Sequence, residues 1–337
     1  MMQNNSPLAF YRLHWLKKLT WPLKILLFGT IAFYISLTVR EKGQGLEDIY
    51  RLFEQKLSWE HWLELTAVCC LTPLNWACES RKWQILVKRV QPISFWQAFQ
   101  GVLAGVALGF ALPNNVGDAA GRVLSLKAKQ RFRGIGAALL SNALQFYVSL
   151  FFGTISWLYF SSKDAQFQSF AIYIFNFLLI TSLILGVVLV KWRQAIERYL
   201  KHFGWYRRVA HFVEVIAQYP LAHINIALLW AVLRYGIFTL QFGLLLYVFE
   251  VRLGVMEALS GIFLVFFAKT LVPAFNFLGD LGVREASALF FLGNKGVEPS
   301  RIIAVSLMLW CINILLPAII GTAFMVIQKW WPKDQNP

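Results

Sequence analysis

Long uncharged stretches most constrain what this sequence can fold into. Ile135–Phe160, Phe167–Val190 and Ile302–Gln328 contain no charged side chain. A helix needs about 20 mostly apolar residues to cross a bilayer core about 30 Å thick, and each stretch exceeds that length. Three further spans are predicted at Leu23–Val39, Leu63–Ala77 and Ile224–Phe249, the last with one charge, Arg234. The sequence therefore predicts an all-α polytopic membrane protein with about six full transmembrane helices.

Composition agrees with this class. The chain is 58% hydrophobic and 15% charged, with a mean hydropathy of +0.56, which is far too apolar for an ordinary soluble domain. The net charge of +15 comes from basic residues between apolar segments, where membrane topology places them, so no nucleic-acid partner is expected. Because no polar stretch has room for a separate catalytic fold, residues 1–337 are predicted to form one integral membrane domain, whose protein partners the sequence leaves unknown.

Familiar enzyme motifs are missing from the sequence. It has no P-loop, nucleophile elbow, dinucleotide fingerprint or H-E-x-x-H pair, and its four cysteines form no C-x-x-C pair. We therefore predict no metal, no cofactor and no common enzyme chemistry, although an unfamiliar intramembrane enzyme stays possible.

Basic residues predict the orientation. Arg12, Lys17 and Lys18 precede the first span without a small-residue cleavage site, which indicates a retained anchor facing the cytoplasm. Arg81 and Lys82, after the second span, are expected to return there. This alternation predicts a multi-pass protein of the cytoplasmic (inner) membrane with both termini cytoplasmic.

Residues 90–117 challenge this alternation. They carry no charge and could span, but the basic cluster at 122–133 would then lie outside. A re-entrant segment that breaks at Pro113 avoids this conflict, provided that protein or a water-filled cavity covers its irregular backbone. The same reasoning predicts that 258–279 re-enters from the opposite side and breaks at Pro273. Full spans remain the alternative at both places.

The two broken segments share a pattern. In each, a glycine lies twelve residues before the proline, and an aspartate lies four residues before an arginine. These residues are Gly101, Pro113, Asp118 and Arg122 in the first segment and Gly261, Pro273, Asp280 and Arg284 in the second. We predict inverted-topology repeats at 62–160 and 223–328, joined by a span and a basic cytoplasmic loop at 161–222. In such repeats, broken helices meet near the bilayer midplane around a substrate site.

A helix N-terminus beside an arginine suits an anionic phosphate headgroup. The predicted headgroup-binding residues are Arg122, Arg284, Asp118, Asp280, Glu285, Asn114 and Asn276, with hinges at Pro113, Pro273, Gly117 and Gly279. Asp118 and Asp280 are also expected to cap the returning helices. Intramembrane polar candidates are Glu79, Asn142, Arg234 and Lys269. In the competing interpretation each Asp–Arg pair is a structural ion pair, and Arg234 and Lys269 only pair with Glu79 or Glu285.

Three stretches resemble a known family: the Pro…Gly-Asp…Arg segment, "GDLGVREASALFFLG" and "NWACESRKWQILV". Over about residues 20–330 the chain is similar to the transmembrane region of lysylphosphatidylglycerol synthase and to flippase-like membrane proteins. The resemblance implies movement of a lipid between leaflets. No soluble aminoacyltransferase domain follows the last span, so aminoacyl-lipid synthesis is not expected.

The favoured function is therefore translocation of an anionic lipid, either a phospholipid or a polyprenyl-phosphate carrier. The alternatives are a secondary transporter of a small anionic solute and a non-transporting scaffold or lipid-modifying partner.

Overall fold

The computed structural model describes residues 46–57, 59–111, 116–163, 169–271, 282–293 and 296–328, and every regular element in these ranges is a helix. The α-helices are α1 (Leu46–Lys56), α2 (Trp62–Val87), α3 (Phe95–Ala111), α4 (Val116–Leu124), α5 (Arg131–Ser162), α6 (Phe170–Leu200), α7 (Tyr206–Ala217), α8 (Leu221–Val248), α9 (Val255–Leu271), α10 (Val283–Leu292), α11 (Pro299–Trp310) and α12 (Leu316–Ile327). Short 3₁₀ turns at Trp59–His61 and Ala128–Gln130 precede α2 and α5, and a π-helical turn at Cys311–Leu315 joins α11 to α12.

Four helical segments of the described chain are long and apolar enough to cross a membrane. They are Ala128–Ser162, Phe170–Leu200, Leu221–Val248 and Pro299–Ile327. Each contains most of a predicted span, so four of the six predictions are confirmed and the chain is an all-helical, multi-pass membrane protein. Leu23–Val39 lies outside the described residues.

Helix α2 differs from its sequence-based prediction. The predicted span ended at Ala77, but the helix continues to Val87 and carries buried Glu79 and Lys82. Lys82 was expected among the cytoplasmic charges that follow the span. Its side chain is instead fully buried, because it pairs with Glu79 one turn away. The span predicted at Leu63–Ala77 stays a prediction.

The predicted basic loop after the fourth span is largely helical. Helix α6 continues to Leu200, and α7 follows after a short turn. Helix α7 packs on α5, where Gly136 lets the backbone of Phe212 approach closely.

Helices α3 and α4 form a tight antiparallel hairpin. A Cβ on Gly121 would lie 2.3 Å from the backbone nitrogen of Gly105, and one on Gly117 would lie 2.1 Å from the carbonyl oxygen of Leu108. At the open end, the backbone N–H of Lys127 donates to Gln91 Oε1 over 3.0 Å. The chain therefore leaves the hairpin at the end where it entered.

Helices α9 and α10 form a second hairpin. A Cβ on Gly261 would lie 2.1 Å from the Leu292 side chain, so these helices are also in close contact. Gly282, at the start of α10, has φ of 93°, a conformation that favours glycine. The closed ends of the two hairpins, residues 112–115 and 272–281, lie outside the described residues.

The two hairpins occupy equivalent places in two runs of helices. The runs are α2–α5 and α8–α12, and each contains a long helix, a 17-residue helix, a short returning helix and a long final segment. Between the runs, α2 packs on α8, α3 packs on α12, and α9 packs on α5. The first helix of each hairpin thus packs on the final segment of the other run. The predicted inverted repeats at 62–160 and 223–328 stay predictions.

The last span is interrupted where it meets α2. Pro317 has no N–H to donate to the carbonyl of Asn313, and the π-helical turn lies at this place. Asn313 is buried there and accepts a hydrogen bond from Asn75 of α2, with 3.3 Å between Oδ1 and Nδ2. The interruption thus brings a polar side chain into the interior.

Candidate functional site

A buried ion network lies where the first hairpin meets α2 and α8. Arg122, on the returning helix α4, is buried, and it follows Asp118 by one helical turn, so the two side chains share a helix face. Its Nε lies 2.9 Å from both carboxylate oxygens of Asp118, and its Nη1 donates to Glu79 Oε1 of α2 over 2.7 Å. Arg122 therefore joins the hairpin to α2 through two carboxylates.

Glu79 is the centre of this network. Besides Arg122, it pairs with Lys82 Nζ at 2.8 Å and with Arg234 Nη1 of α8 at 3.2 Å. Its side chain is only 1% exposed. A buried carboxylate stays ionised only when paired charges replace the lost water, and three cations do so here.

Helix α5 completes the network with neutral polar groups. Ser141 Oγ donates to Glu79 Oε1 over 3.3 Å and also accepts from Arg122. Asn142 Nδ2 donates to Asp118 Oδ2 over 2.9 Å. Lys82 Nζ donates to Gln145 Oε1 over 3.3 Å.

On the other side, Arg234 connects the network to a cluster of amide side chains. Its Nε donates to Asn75 Oδ1 over 3.0 Å, and its guanidinium lies 4.8 Å from the Trp76 ring centroid. Asn75 also donates to Gln241 of α8. Polar contacts therefore continue from the first hairpin to the second run of helices.

The network has an excess positive charge and is partly exposed at two ends. Lys82, Arg122 and Arg234 face two carboxylates, Asp118 and Glu79, which leaves one net positive charge. Lys82 and Glu79 are enclosed, whereas Asp118 is 18% exposed and Arg234 is 23% exposed. Both ends of the network can therefore meet a ligand, and an anion would neutralise the excess charge.

In the part of the chain that the structure describes, the second hairpin carries a smaller ion pair. Arg284 Nη2 lies 3.2 Å from Glu285 Oε1, and both residues are buried. Ser306 of α11 accepts from Arg284 Nε over 3.0 Å and donates to Glu285 Oε1 over 2.8 Å. Glu285 Oε2 also accepts the Gly282 N–H over 2.5 Å, which fixes the start of α10.

The two arginines have equivalent surroundings. Each lies on a returning helix and contacts a serine of the long helix that follows, Ser141 or Ser306, and that serine donates to a glutamate. The glutamate comes from a different helix in the first run, Glu79, but from the adjacent residue in the second, Glu285. The two segments that share a sequence pattern thus also share an Arg–Ser–Glu triangle.

Of the candidate residues, the structure brings together Glu79, Asp118, Arg122, Asn142 and Arg234. Arg284 and Glu285 form the separate pair, and Lys269 lies elsewhere on α9, with Nζ 5.6 Å from the Phe238 ring centroid. Gly117 is a close-packing residue inside the first hairpin. The candidates outside the described residues are Pro113, Asn114, Pro273, Asn276, Gly279 and Asp280.

Asp118 differs from its predicted position. Helix α4 begins at Val116, so Asp118 lies in the first turn and not at the N-cap. Its carboxylate still faces the positive end of the helix dipole, and its partners are Arg122 and Asn142.

Sequence reasoning missed Lys82, Ser141 and Ser306. The spacing of Glu79 and Lys82, three residues apart, was a usable signal, because such residues share a helix face. The two serines gave no signal, since serine is common in membrane helices and packs between them without a special role.

Comparison with known proteins shows the family to which the chain belongs. The model of the lysylphosphatidylglycerol synthase TM region matches residues 23–321, most of the chain. A search of curated proteins found no match.

Proposed function

We propose that this chain, which belongs to the family of the lysylphosphatidylglycerol synthase TM region, is a lipid translocator. It moves an anionic lipid between membrane leaflets. The cargo class is a phospholipid or a polyprenyl-phosphate carrier. The lipid crosses without chemical change. The family and the four apolar helical segments establish a membrane protein embedded in lipid; the movement is our inference.

The observation that carries the proposal is the excess cation in the buried network. A neutral ion network would serve as a brace, but three cations against two carboxylates attract an anion. Arg234, at the more exposed end, has a planar guanidinium suited to two phosphate oxygens. We assign the first contact with the headgroup to Arg234.

Arg122 provides the second contact in this proposal. It holds two carboxylates, and Asp118 is the more exposed of them. A lipid phosphate can displace Asp118 from Arg122 while Glu79 stays in place. Because Asp118 also accepts from Asn142, the released carboxylate keeps a partner on α5. Partner exchange of this kind avoids leaving a buried charge unpaired.

Hairpin geometry supports the membrane arrangement that the proposal needs. The first hairpin returns to its own entry end, as a re-entrant segment would, and the helix exchange agrees with a pseudo-twofold axis. We propose that the two runs are inverted repeats, with both termini cytoplasmic in the inner membrane. Opposed hairpins then present polar groups from the two sides of one membrane.

Lipid movement in vesicles tests the function. Fluorescent phosphatidylglycerol is scored for leaflet exchange with the purified protein and with Arg234→Gln. We expect the variant to lose most of the movement because the exposed cation is gone. Arg301→Gln is the matched control, since Arg301 is a similarly exposed arginine outside the network. Lipid mass spectrometry before and after should show unchanged species.

Two results would overturn the proposal. One is movement by Arg234→Gln equal to that of the unmodified chain, with both variants folded. The other is uptake of a small organic anion into vesicles without lipid exchange, which would favour the solute transporter.

Accessibility labelling tests the orientation. In a background without the four native cysteines, single cysteines replace Lys127, near the open end of the first hairpin, and the exposed Met256 on α9. The proposal expects position 127 to react only from the cytoplasmic side and position 256 only from outside. Efficient outside labelling at 127 would exclude the re-entrant first hairpin.

A further inference from the structure

A groove lies between α8 and α9, on the face of α8 away from the ion network. Its volume is about 1010 Å³. Gly236, Gly243 and Tyr247 form its wall on α8, and Val255 and Ile262 form its wall on α9. Gly236 is two positions from Arg234, so the two residues point to nearly opposite sides of the helix. The groove is therefore separate from the proposed headgroup site.

Two glycines create the space. A Cβ built on Gly236 or Gly243 would meet no atom within 4 Å, whereas one on Gly121, Gly153 or Gly261 would collide with a neighbour. Gly236 and Gly243 are thus not close-packing glycines. They leave the surface of α8 open along one face of the helix.

The groove opens sideways, toward where lipid lies around a membrane-spanning helix. Leu240 is 52% exposed, Tyr247 is 66% exposed and Val255 is 75% exposed. The wall from Gly236 to Tyr247 rises over eleven residue steps of α8, or about 16 Å at 1.5 Å per residue. One leaflet provides about half of a hydrocarbon core about 30 Å thick. The groove therefore has the depth of one leaflet.

The rim of the groove is polar. Arg252, exposed in the loop between α8 and α9, lines it together with His61 of the turn before α2. Glu250 also lies there, but its carboxylate is engaged by Lys56 and Arg301. The rim thus presents a guanidinium at the level of lipid headgroups, above an apolar slot.

We propose that this groove binds one acyl chain of a membrane phospholipid, with Arg252 at the phosphate. The slot provides apolar contact along one leaflet, and the arginine selects a phosphate-bearing head. In the proposed orientation this is the outer leaflet. The site stands independently of lipid translocation, because it holds a chain and does not require that the lipid crosses.

Photolabelling with phosphatidylglycerol that carries a diazirine in one acyl chain tests the site. The full chain is placed in vesicles, irradiated, and its labelled residues are mapped by mass spectrometry. Helix α6 is the internal standard for bulk lipid, since Phe177, Ile184 and Val187 are broadly exposed. We expect labelling of the groove walls several-fold above that of α6.

Filling the groove gives the decisive comparison. Gly243→Leu and Gly236→Leu should each reduce groove labelling to the level of α6, and a leucine has space at either position. Gly204→Leu is the matched control, because a Cβ on Gly204 also meets nothing within 4 Å but lies between α6 and α7. Arg252→Gln should lower labelling by the phosphatidylglycerol probe, but not by a diacylglycerol probe with the same chain.

Labelling at the α6 level in the unmodified chain would overturn the proposal, as would undiminished labelling in both filled variants. Leaflet exchange measured on the same samples separates the two inferences. If groove labelling persists without exchange, the translocation proposal fails and the groove stands. If exchange occurs with labelling only at the α6 level, the groove fails alone.

Discussion

The two hairpins carry the same triangle of arginine, serine and glutamate but connect it differently. In the first, Arg122 reaches Glu79 on another helix, and Glu79 reaches Arg234 across the boundary between the two runs. In the second, Arg284 pairs with the adjacent Glu285. The first arrangement is shared among four helices, and the described contacts of the second join α10 to α11.

This difference in connection is also a difference in charge and exposure. The first network has one cation in excess and two partly exposed ends, whereas the described contact between Arg284 and Glu285 joins one charge of each sign and is almost wholly enclosed. A duplicated motif therefore need not mean a duplicated role. We assign recognition of the anion to the first network and bracing of the hairpin to the second. The sequence predicts headgroup binding by Arg284 as well as by Arg122. A symmetric relay, in which the two arginines bind the headgroup in turn, stays the competing interpretation.

The largest effect is expected at the centre of the first network. Glu79→Gln leaves Lys82, Arg122 and Arg234 with Asp118 as the remaining carboxylate. Removing one partner of a buried pair costs about 3–5 kcal/mol of unfolding free energy. Thermal unfolding in detergent should therefore show a large decrease in Tm.

Glu64→Gln is the matched control for this variant, since Glu64 lies on the same helix and is only half-buried. Equal small losses for the two variants would show that Glu79 does not hold the network together.

The second prediction tests whether Arg284 only stabilises the second hairpin or also binds the lipid headgroup. Arg284→Met alone should destabilise the protein, because Glu285 then stays buried without its cation. Arg284→Met/Glu285→Gln should recover most of the loss, since a neutral buried pair is often replaceable, and Gln still accepts from Gly282. Tm and lipid movement are measured on the same samples, and the double variant should keep its movement.

The corresponding change in the first network is Arg122→Met/Asp118→Asn. It should lose lipid movement even where Tm recovers. If instead Arg284→Met/Glu285→Gln recovers its Tm but not its movement, Arg284 acts on the lipid and the symmetric relay is correct.

The third prediction compares the two hairpin interfaces. Gly121→Ala should destabilise more than Gly261→Ala, because the new methyl group meets backbone atoms of Ala104 and Gly105 in the first case and a leucine side chain in the second. Backbone cannot move aside as Leu292 can. We expect a cost for Gly121→Ala near the upper end of about 1–3 kcal/mol, the usual range for overpacking.

Unfolding in detergent measures both glycine variants, with Gly204→Ala as an unhindered reference. An equal cost at the two positions would mean that the first hairpin also adapts, and that its close backbone contact is not a rigid feature.

Local sequence signals predicted much of this structure. Long apolar runs, three of them uncharged and one carrying Arg234, predicted the four confirmed spans, because length and apolarity are properties of one segment. The spacing of Asp118 and Arg122 predicted their contact for the same reason. The conflict between an uncharged run and the basic residues after it predicted a re-entrant segment at 90–117; helices α3 and α4 pack against each other, and re-entry into a membrane stays a prediction.

Contacts between distant segments were harder to predict. Arg234 was a candidate partner of Glu79 or Glu285, and only the packing of α8 on α2 decides between them. Lys82 was interpreted as a topology charge, because a lysine after an apolar run is ordinarily outside the membrane. Its burial depends on Glu79 and Gln145, and Gln145 lies on a different helix.

The smallest predicted effect concerns an exposed ion cluster, which contrasts with both buried ones. Lys56 Nζ and Arg301 Nη1 lie 2.6 and 3.0 Å from the two carboxylate oxygens of Glu250. Hydrogen bonds from Lys56 and then Arg301 lower the pKa of Glu250 to about 2. Glu250 is 47% exposed, and exposed pairs contribute at most about 1 kcal/mol.

The sign of the pH dependence follows from the lowered pKa of Glu250. In the unfolded chain the pKa is near its ordinary value of 4.5, so the folded state binds its proton only at lower pH. The stabilisation by Glu250 is complete above pH 4.5 and is lost as the pH falls toward about 2. Glu250→Gln should therefore have a lower Tm at neutral pH, and the difference from the unmodified chain should shrink across this window. Glu47→Gln, which removes an exposed pair with Arg51, controls for general acid effects. Parallel Tm curves for Glu250→Gln and the unmodified chain between pH 4.5 and 2 would show that ionisation of Glu250 in this cluster does not stabilise the fold.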